Sequence, residues 1–186
     1  MSVLVDRDID AAMSTGSIVI EPFDPESLGT NSYDVHLADK LVVYDDIVLD
    51  VRAKDPRTRT MHIHPTNGFL LRPGELYLAS TVEYTESREH LPILNGKSSL
   101  GRLGLSIHVT AGTGDVGFRG HWTMELFVIR PLRVYAGMAI GQLLWFTANP
   151  PRVPYDHKRS AKYGGRDPDP QASLMYREHV LVESED

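Results

Sequence analysis

Three segments of this 186-residue chain combine residue types that chemistry uses. In Asn95-Gly96-Lys97-Ser98-Ser99-Leu100-Gly101-Arg102-Leu103-Gly104-Leu105, Gly96 permits a turn, Ser98 or Ser99 can cap a short helix, and Gly104 can end it. Such a helix points unpaired backbone N–H groups outward and attracts anions, and Lys97 and two hydroxyls add donors beside them. Ser98 and Arg102, at i and i+4, share one face. The same run also fits an ordinary capped turn with solvated charges, because Gly/Ser-rich turns are weak motifs.

The second segment, His121 to Val128, alternates, with Trp122, Met124, Leu126 and Val128 on one face and His121, Thr123, Glu125 and Phe127 on the other. On a solvated face Glu125 is an ordinary exposed acid; lining a cleft, it is a candidate general acid/base. The third segment, Gly112 to Gly120, is glycine-rich enough for backbone to approach a ligand, and offers Asp115 as an acceptor for sugar hydroxyls. A flexible turn explains it equally. Of the 8 histidines, His62 and His64 would share a strand face, but no acidic or histidine partners nearby complete a metal site. No metal-binding residues are assigned.

The elements that position these residues are short. A helix is predicted from Asp6 to Met13, with an Asp as cap, Ile9, Ala12 and Met13 as the apolar stripe and Gly16 as the stop. Beyond it, strands are predicted at Ser17–Ile20, Val35–Tyr44, Met61–His64, Leu76–Ser80, Ser106–Thr110, His121–Val128, Leu132–Tyr135 and Met138–Phe146. Turn chemistry at Pro65-Thr66-Asn67-Gly68, Arg72-Pro73-Gly74, Asn95-Gly96 and Ala136-Gly137 separates them. The pattern is that of an antiparallel sandwich or barrel. From Asn149 the composition turns to Pro, Arg, Lys, Asp and Gly, which suits a mobile tail that orders when something binds it.

Composition excludes several function classes. There is no cysteine, hence no disulfide, thiolate nucleophile or cysteine-bound zinc. A net charge of −6 argues against broad binding to nucleic acid, so any phosphate site is local. No apolar run approaches the ~20 residues of a membrane span, and the N-terminus lacks the basic flank of a signal peptide; a cytoplasmic protein is expected.

The run Gly96 to Leu105, with His108-Val109-Thr110-Ala111, Asp115-x-Gly117-Phe118-x-Gly120-His121 and Thr123-x-Glu125-Leu126, resembles the dCTP deaminase family. Further matches are Asn31-Ser32-Tyr33-Asp34, Pro73-Gly74-Glu75, Gly137-Met138-x-Ile140-Gly141-Gln142-Leu143, Tyr155 and Lys162-Tyr163, so that the resemblance covers roughly residues 3 to 175. It implies a mainly β fold, a distorted jelly-roll or β-barrel of the dUTPase-like type, with a short N-terminal helix and a flexible C-terminal lid. Residues 1–150 would form the catalytic barrel and 151–186 the lid and tail. It also implies a homotrimer with sites between subunits, dCTP as substrate, magnesium carried on the triphosphate, and dTTP as a feedback nucleotide.

Carried over by motif, Glu125 is the expected proton shuttle, with Ser98, Arg102 and the carbonyl of Ala111 around the attacking water. Lys97 and Ser99 would meet phosphates within the Lys97 to Arg102 run that includes Leu100 and Gly101. Asp115 would contact the 3′-hydroxyl, Thr123, Met124 and Glu125 would read the base, and Gln142 would complete the pocket. Tyr155, Lys162 and Arg166 would belong to the lid. Arg166 stands where the family commonly has Gln, Lys97 where many members have Arg, and Val116 where Pro is usual; Phe127 to Pro131 is a short hairpin. The expected reaction is dCTP to dUTP and ammonia. The alternatives are a bifunctional enzyme releasing dUMP, a deaminase of dCMP or a modified cytosine nucleotide, and a non-catalytic nucleotide-binding module.

Overall fold

The computed structural model describes residues 2–178; Met1 and residues 179–186, the end of the expected tail, lie outside the described residues. Helix α1 (Asp6–Ser14) leads into β1 (Ile18–Glu21) and the long β2 (Tyr33–Tyr44). There follow β3 (Thr58–His62), β4 (Phe69–Leu71), β5 (Tyr77–Ser87) and β6 (His90–Gly96), then the short helix α2 (Ser98–Gly101). The last strands are β7 (Leu105–Ser106), β8 (Phe118–Val128), β9 (Leu132–Val134) and β10 (Ala139–Thr147).

Helix α1 forms because Ile9 and Ala12 bury one stripe while the acidic residues face out. The cap differs from the expected Asp: Val5 is the extended N-cap residue, and the Asp8 carboxylate reaches back to the Val5 N–H at 3.4 Å. Gly16, at φ +73°, then lets the chain turn into β1.

The main sheet runs β6-β10-β2-β5-β8-β7, antiparallel throughout, with β1 added to β5 and β3 to β2. The chain after β7 closes it. Ile107 O accepts the Glu125 N–H of β8 at 2.9 Å, and five residues on Gly112 O accepts the Leu94 N–H of β6 at 2.7 Å. Gly114 N–H then donates to Pro92 O at 2.9 Å. Residues 105–114 therefore bridge the two edges into a nearly closed barrel, which leaves few unpaired backbone groups there.

Inside lie Tyr33, Val35 and Leu37 of β2, Met124 and Leu126 of β8, and Leu143 and Trp145 of β10, all fully buried. Burying side chains of this size contributes about 1.5–3 kcal/mol each. The indoles find partners, Trp145 Nε1 on Ser87 Oγ at 2.7 Å and Trp122 Nε1 on Thr85 Oγ1 at 3.0 Å.

Strand β5 is longer than predicted and β4 and β6 were not expected. In β5 nearly every residue is buried, polar ones included, so no apolar alternation marks its second half. Of the predicted Ser106–Thr110 strand only Ser106 is regular, as the end of β7; the rest is the irregular closing segment.

Two outcomes are expected. A Cβ at Gly112 would lie 2.6 Å from Leu94 O and 2.9 Å from His108 Nε2, so Gly112→Ala must push the closing segment off β6. The cost is expected at about 1–3 kcal/mol, measured by urea unfolding. At the start of β6, burial lowers the His90 pKa, and its Nδ1 is buried without a hydrogen-bond partner among the described residues. Unfolded His90 takes a proton at its ordinary value of 6.5, folded His90 only at lower pH. The associated stability is thus present above that value and is lost as pH falls through the folded pKa. Unfolding measured between pH 7.5 and 5 should show this loss, and His90→Phe should flatten it.

Candidate active site

On β8, Trp122, Met124, Leu126 and Val128 point into the core while Thr123 and Glu125 are half-buried on the outer face, as the alternation predicts. Met124 is fully buried, so its side chain is not available to a ligand. Glu125 sits opposite Leu78 of β5, with the closing segment on its other side. Its Oε2 accepts the Val109 N–H at 3.2 Å, a charge-assisted bond that sets the carboxylate against residues 107–111. Its Oε1 has no hydrogen-bond partner among the described residues. Ser106 Oγ donates to His108 O at 3.0 Å and shapes the same segment, whose exposed end is Ala111.

The second group surrounds α2. Lys97, extended at φ −78° and ψ 133°, is the N-cap residue, so Ser98 is the first helical residue and not the cap. Leu100 packs against the core and leaves Ser98, Ser99, Gly101 and Arg102 exposed. The Lys97 ammonium is ion-paired with Asp34 of β2. Asp34 also accepts from Gln142 Nε2 at 3.0 Å, and the same nitrogen lies 3.4 Å from Ser32 Oγ. Strand register explains the meeting, since Gln142 of β10 stands opposite Asp34 on β2 and Asn95 on β6. Sequence placed Asp34 in a matched motif but gave it no role at the site. The signal was present, because it alternates with the inward residues Tyr33 and Val35 beside Ser32.

Arg102 makes no ion pair among the described residues, and no hydrogen bond joins it or Ser98 to Glu125 there. Asp115 is exposed on its loop.

The C-terminal segment runs along the outside of β5 and β8. Gln171 N–H donates to Thr123 Oγ1 at 3.1 Å, Ser80 Oγ to Pro168 O at 2.5 Å, and Lys40 Nζ to Asp169 Oδ1 at 2.6 Å. Tyr155 is scaffolding within it: its hydroxyl accepts the N–H groups of Lys162 and Tyr163 at 3.1 and 3.0 Å. The Lys162 ammonium pairs with Glu178. Arg166 lies away from the Lys97 cluster, bonded to Glu21 Oε2 at 2.8 Å and stacked 4.3 Å over the Tyr84 ring. Burial and the bond to Glu86 raise the Tyr84 pKa; burial of Glu86 works against its charge, but Arg88 and Tyr84 hold its pKa below the ordinary value.

Residues 3–148 match a protein-family model described as dCTP deaminase-like. The chain belongs to that family. It is similar to the dUMP-forming dCTP deaminase of Cytophaga hutchinsonii, 47% identical over 161 residues, or 87% of this chain and 90% of that protein. A relative of the same description from Clostridium acetobutylicum is 44% identical over 163 residues, covering 88% of this chain and 91% of that one. Among solved structures, the dCTP deaminase of Agrobacterium tumefaciens superposes with a TM-score of 0.61 at 20% identity, over 78% of this chain and 48% of that one; it shares the fold. The family match ends at the close of the barrel, so the arrangement of the C-terminal segment is read from this chain alone.

Because Arg166 joins the segment to β1 and β5, Arg166→Gln should release it. Amide hydrogen exchange is expected to quicken over residues 163–171 while barrel amides keep their protection; unchanged exchange would show that the polar contacts elsewhere suffice.

Proposed function

We propose that this chain converts dCTP and two waters into dUMP, ammonia and pyrophosphate, acting in the cytoplasm as a homotrimer. The observation that carries the deaminase reading is Glu125: a backbone N–H fixes one carboxylate oxygen, and the other has no hydrogen-bond partner among the described residues. A carboxylate so oriented is suited to move protons without turning away from the reacting atoms. The dUMP product is preferred over dUTP because the relatives at 47% and 44% identity are named dUMP-forming.

In this mechanism Glu125 removes a proton from water as the oxygen bonds to C4 of cytosine, and delivers protons to N3 and then to the departing amine. The C4–N bond breaks and ammonia leaves. Ser98, Arg102 and the Ala111 carbonyl hold the water and stabilise charge on the tetrahedral carbon. Thr123 and Glu125 read the base edge, and Met124 contributes through backbone alone since its side chain is in the core. Asp115 takes the 3′-hydroxyl.

Lys97 and Ser99 take phosphate oxygens beside the Asp34–Gln142 pair. In the nucleotide-free chain Lys97 is neutralised by Asp34, so substrate phosphate competes with a carboxylate for it. A triphosphate, with its higher charge, competes best. Magnesium arrives with the nucleotide as part of the substrate; among the described residues no group of three or more His, Cys, Asp or Glu side chains is placed to hold a metal. The second water attacks the α-phosphate and pyrophosphate leaves. Residues 155–171, with Tyr155, Lys162 and Arg166, serve as the lid that excludes water. Feedback by dTTP fits the same pocket, since dTTP shares the deoxyribose and triphosphate of dCTP. Among the described residues no helix is long and apolar enough to cross a membrane.

Incubation with dCTP, followed by chromatography and ammonia and pyrophosphate assays, should yield dUMP, ammonia and pyrophosphate in equal amounts. Accumulating dUTP would return the reading to a simple deaminase, and no ammonia would reduce the chain to a binding module. Glu125→Gln should lower ammonia release at least ~10²-fold, with the barrel intact by circular dichroism.

A further inference from the structure

The loop that carries Asp115 has little to hold it from within. Gly112, Gly114 and Gly117 surround the aspartate, and Phe118 N–H to Asp115 O, at 3.1 Å, closes its turn. Its restraints come from outside, on both sides of Asp115. On the N-terminal side Gly114 is pinned to β6 by its bond to Pro92 O. On the C-terminal side Gly117 N–H donates to Ser87 O of β5 at 2.6 Å, and the first turn of the C-terminal segment packs against the same stretch. There Tyr155 N–H donates to Val116 O at 2.9 Å, and the Asp156 carboxylate pairs with the Arg119 guanidinium. Gly117, at φ +95°, is packed so closely on this turn that a Cβ would stand 2.8 Å from Pro154 Cβ and 2.9 Å from Asp156 Oδ1. Further along the segment, Gly165 N–H bonds Arg119 O at 2.9 Å, so Arg119 is gripped through both its backbone and its side chain.

We propose that Asp156 is a positioning residue for the sugar end of the substrate: through Arg119 it fixes the Asp115 loop, so that selection for a 3′-hydroxyl depends on the C-terminal segment. This rests on the deaminase reading, in which Asp115 receives that hydroxyl. The physical reason is preorganisation. An aspartate on a loop with three glycines loses much of a hydrogen bond's worth in ordering itself unless something else has already done so. Asp156 retains about a fifth of its side-chain exposure (20%), and Arg119 is more open at 44%, so the pair holds position more than it adds stability. The segment that covers the nucleotide and the loop that reads its sugar thereby form one mechanical unit.

The test compares dCTP with 2′,3′-dideoxy-CTP, which differ only at the 3′ position. Wild-type chain should prefer dCTP. Asp156→Ala is expected to lower kcat/KM for dCTP about tenfold, mainly through KM, and to change it less than about twofold for the dideoxy substrate, as loss of a positioned charged hydrogen bond requires. Asp156→Glu, which keeps the charge, should restore most of the preference, and Arg119→Ala should add little on top of Asp156→Ala. Equal losses on both substrates would overturn the proposal, as would an unchanged preference. Hydrogen exchange in the nucleotide-free protein is the second arm: Asp156→Ala should speed exchange at Tyr155, whose N–H is held by Val116 O, and at Phe118, whose N–H closes the Asp115 turn, and unaltered rates there would sink the idea whatever the substrate proves to be. If wild type releases no ammonia from dCTP while the exchange arm responds, the positioning contact stands and the functional reading fails.

Discussion

The hydrogen bonds that close the barrel are the constraint on which the site depends. Strands β6 and β8 are not neighbours in the sheet order, and only residues 105–114 join them, through Ile107 O on one side and Gly112 O on the other. That crossing puts the Val109 N–H against Glu125 and sets Ala111 two residues farther along. It also fixes where the glycines must be. Ile107 is buried at 2% exposure and leans on Gly96 and Gly141, where added Cβ atoms would lie 3.7 and 3.0 Å from its side chain. Lys97 and Gln142 follow those two glycines directly in sequence. The packing that admits the closing segment is thus the packing that brings both polar side chains to Asp34.

A second buried arrangement supports β2 at the same level. The β2–β5 ladder is irregular between Leu37 and Leu41, and β5 shifts register against β8 between Ser80 and Tyr84. Residue Glu83 fills the gap: its carboxylate accepts the His36 N–H at 2.9 Å and stands 2.5 Å from His36 Nδ1. Thr81 Oγ1 donates to Glu83 O at 2.8 Å and accepts the Trp122 N–H at 3.0 Å. A buried acid is tolerable because these partners satisfy it, whereas an unpaired one would cost several kcal/mol. Asp34 lies two residues before His36 on the same outer face, so the bulge stiffens the stretch of strand that meets Lys97.

Much of this was legible in sequence where one face of an element is buried and the other is not. Strand β8 is the clear case, since Trp122, Met124 and Leu126 alternate with Thr123 and Glu125 and the burial follows residue by residue. Strand β5 defeats the same logic because Thr81, Glu83, Thr85 and Ser87 are buried on polar contacts, which periodicity of apolar residues does not register. Strand β6 carries Pro92 and begins at a histidine, so its pattern is broken where its pairing with β10 is regular. At the site, motif resemblance named Glu125 and the α2 run and included Asp34 without a role, and the partnership of Asp34 with Lys97 and Gln142 emerges only when β2 and β10 are in register. Tyr155 shows the converse. The family resemblance assigned it to the lid, and its hydroxyl here organises the backbone of Lys162 and Tyr163.

The attachments of the C-terminal segment suit the lid proposed for it. Past Gly165 its attachments to the barrel include individual polar contacts: Arg166 to Glu21, Lys40 to Asp169, Ser80 to Pro168 and Thr123 to Gln171. The two ion pairs among them are exposed, and such pairs add little stability and weaken with salt. A segment held by an apolar face would cost far more to lift, since every buried side chain would return to water. Arg166 over Tyr84 is the exception in kind, a cation on an aromatic face, yet it too is open to solvent. The contacts with Val116, Gly117 and Arg119 differ because they involve backbone packed against backbone at distances a methyl group would violate. The segment therefore has a firm root beside Asp115 and a loosely held length beyond it, which is the distribution of strength that opening and closing about that root requires.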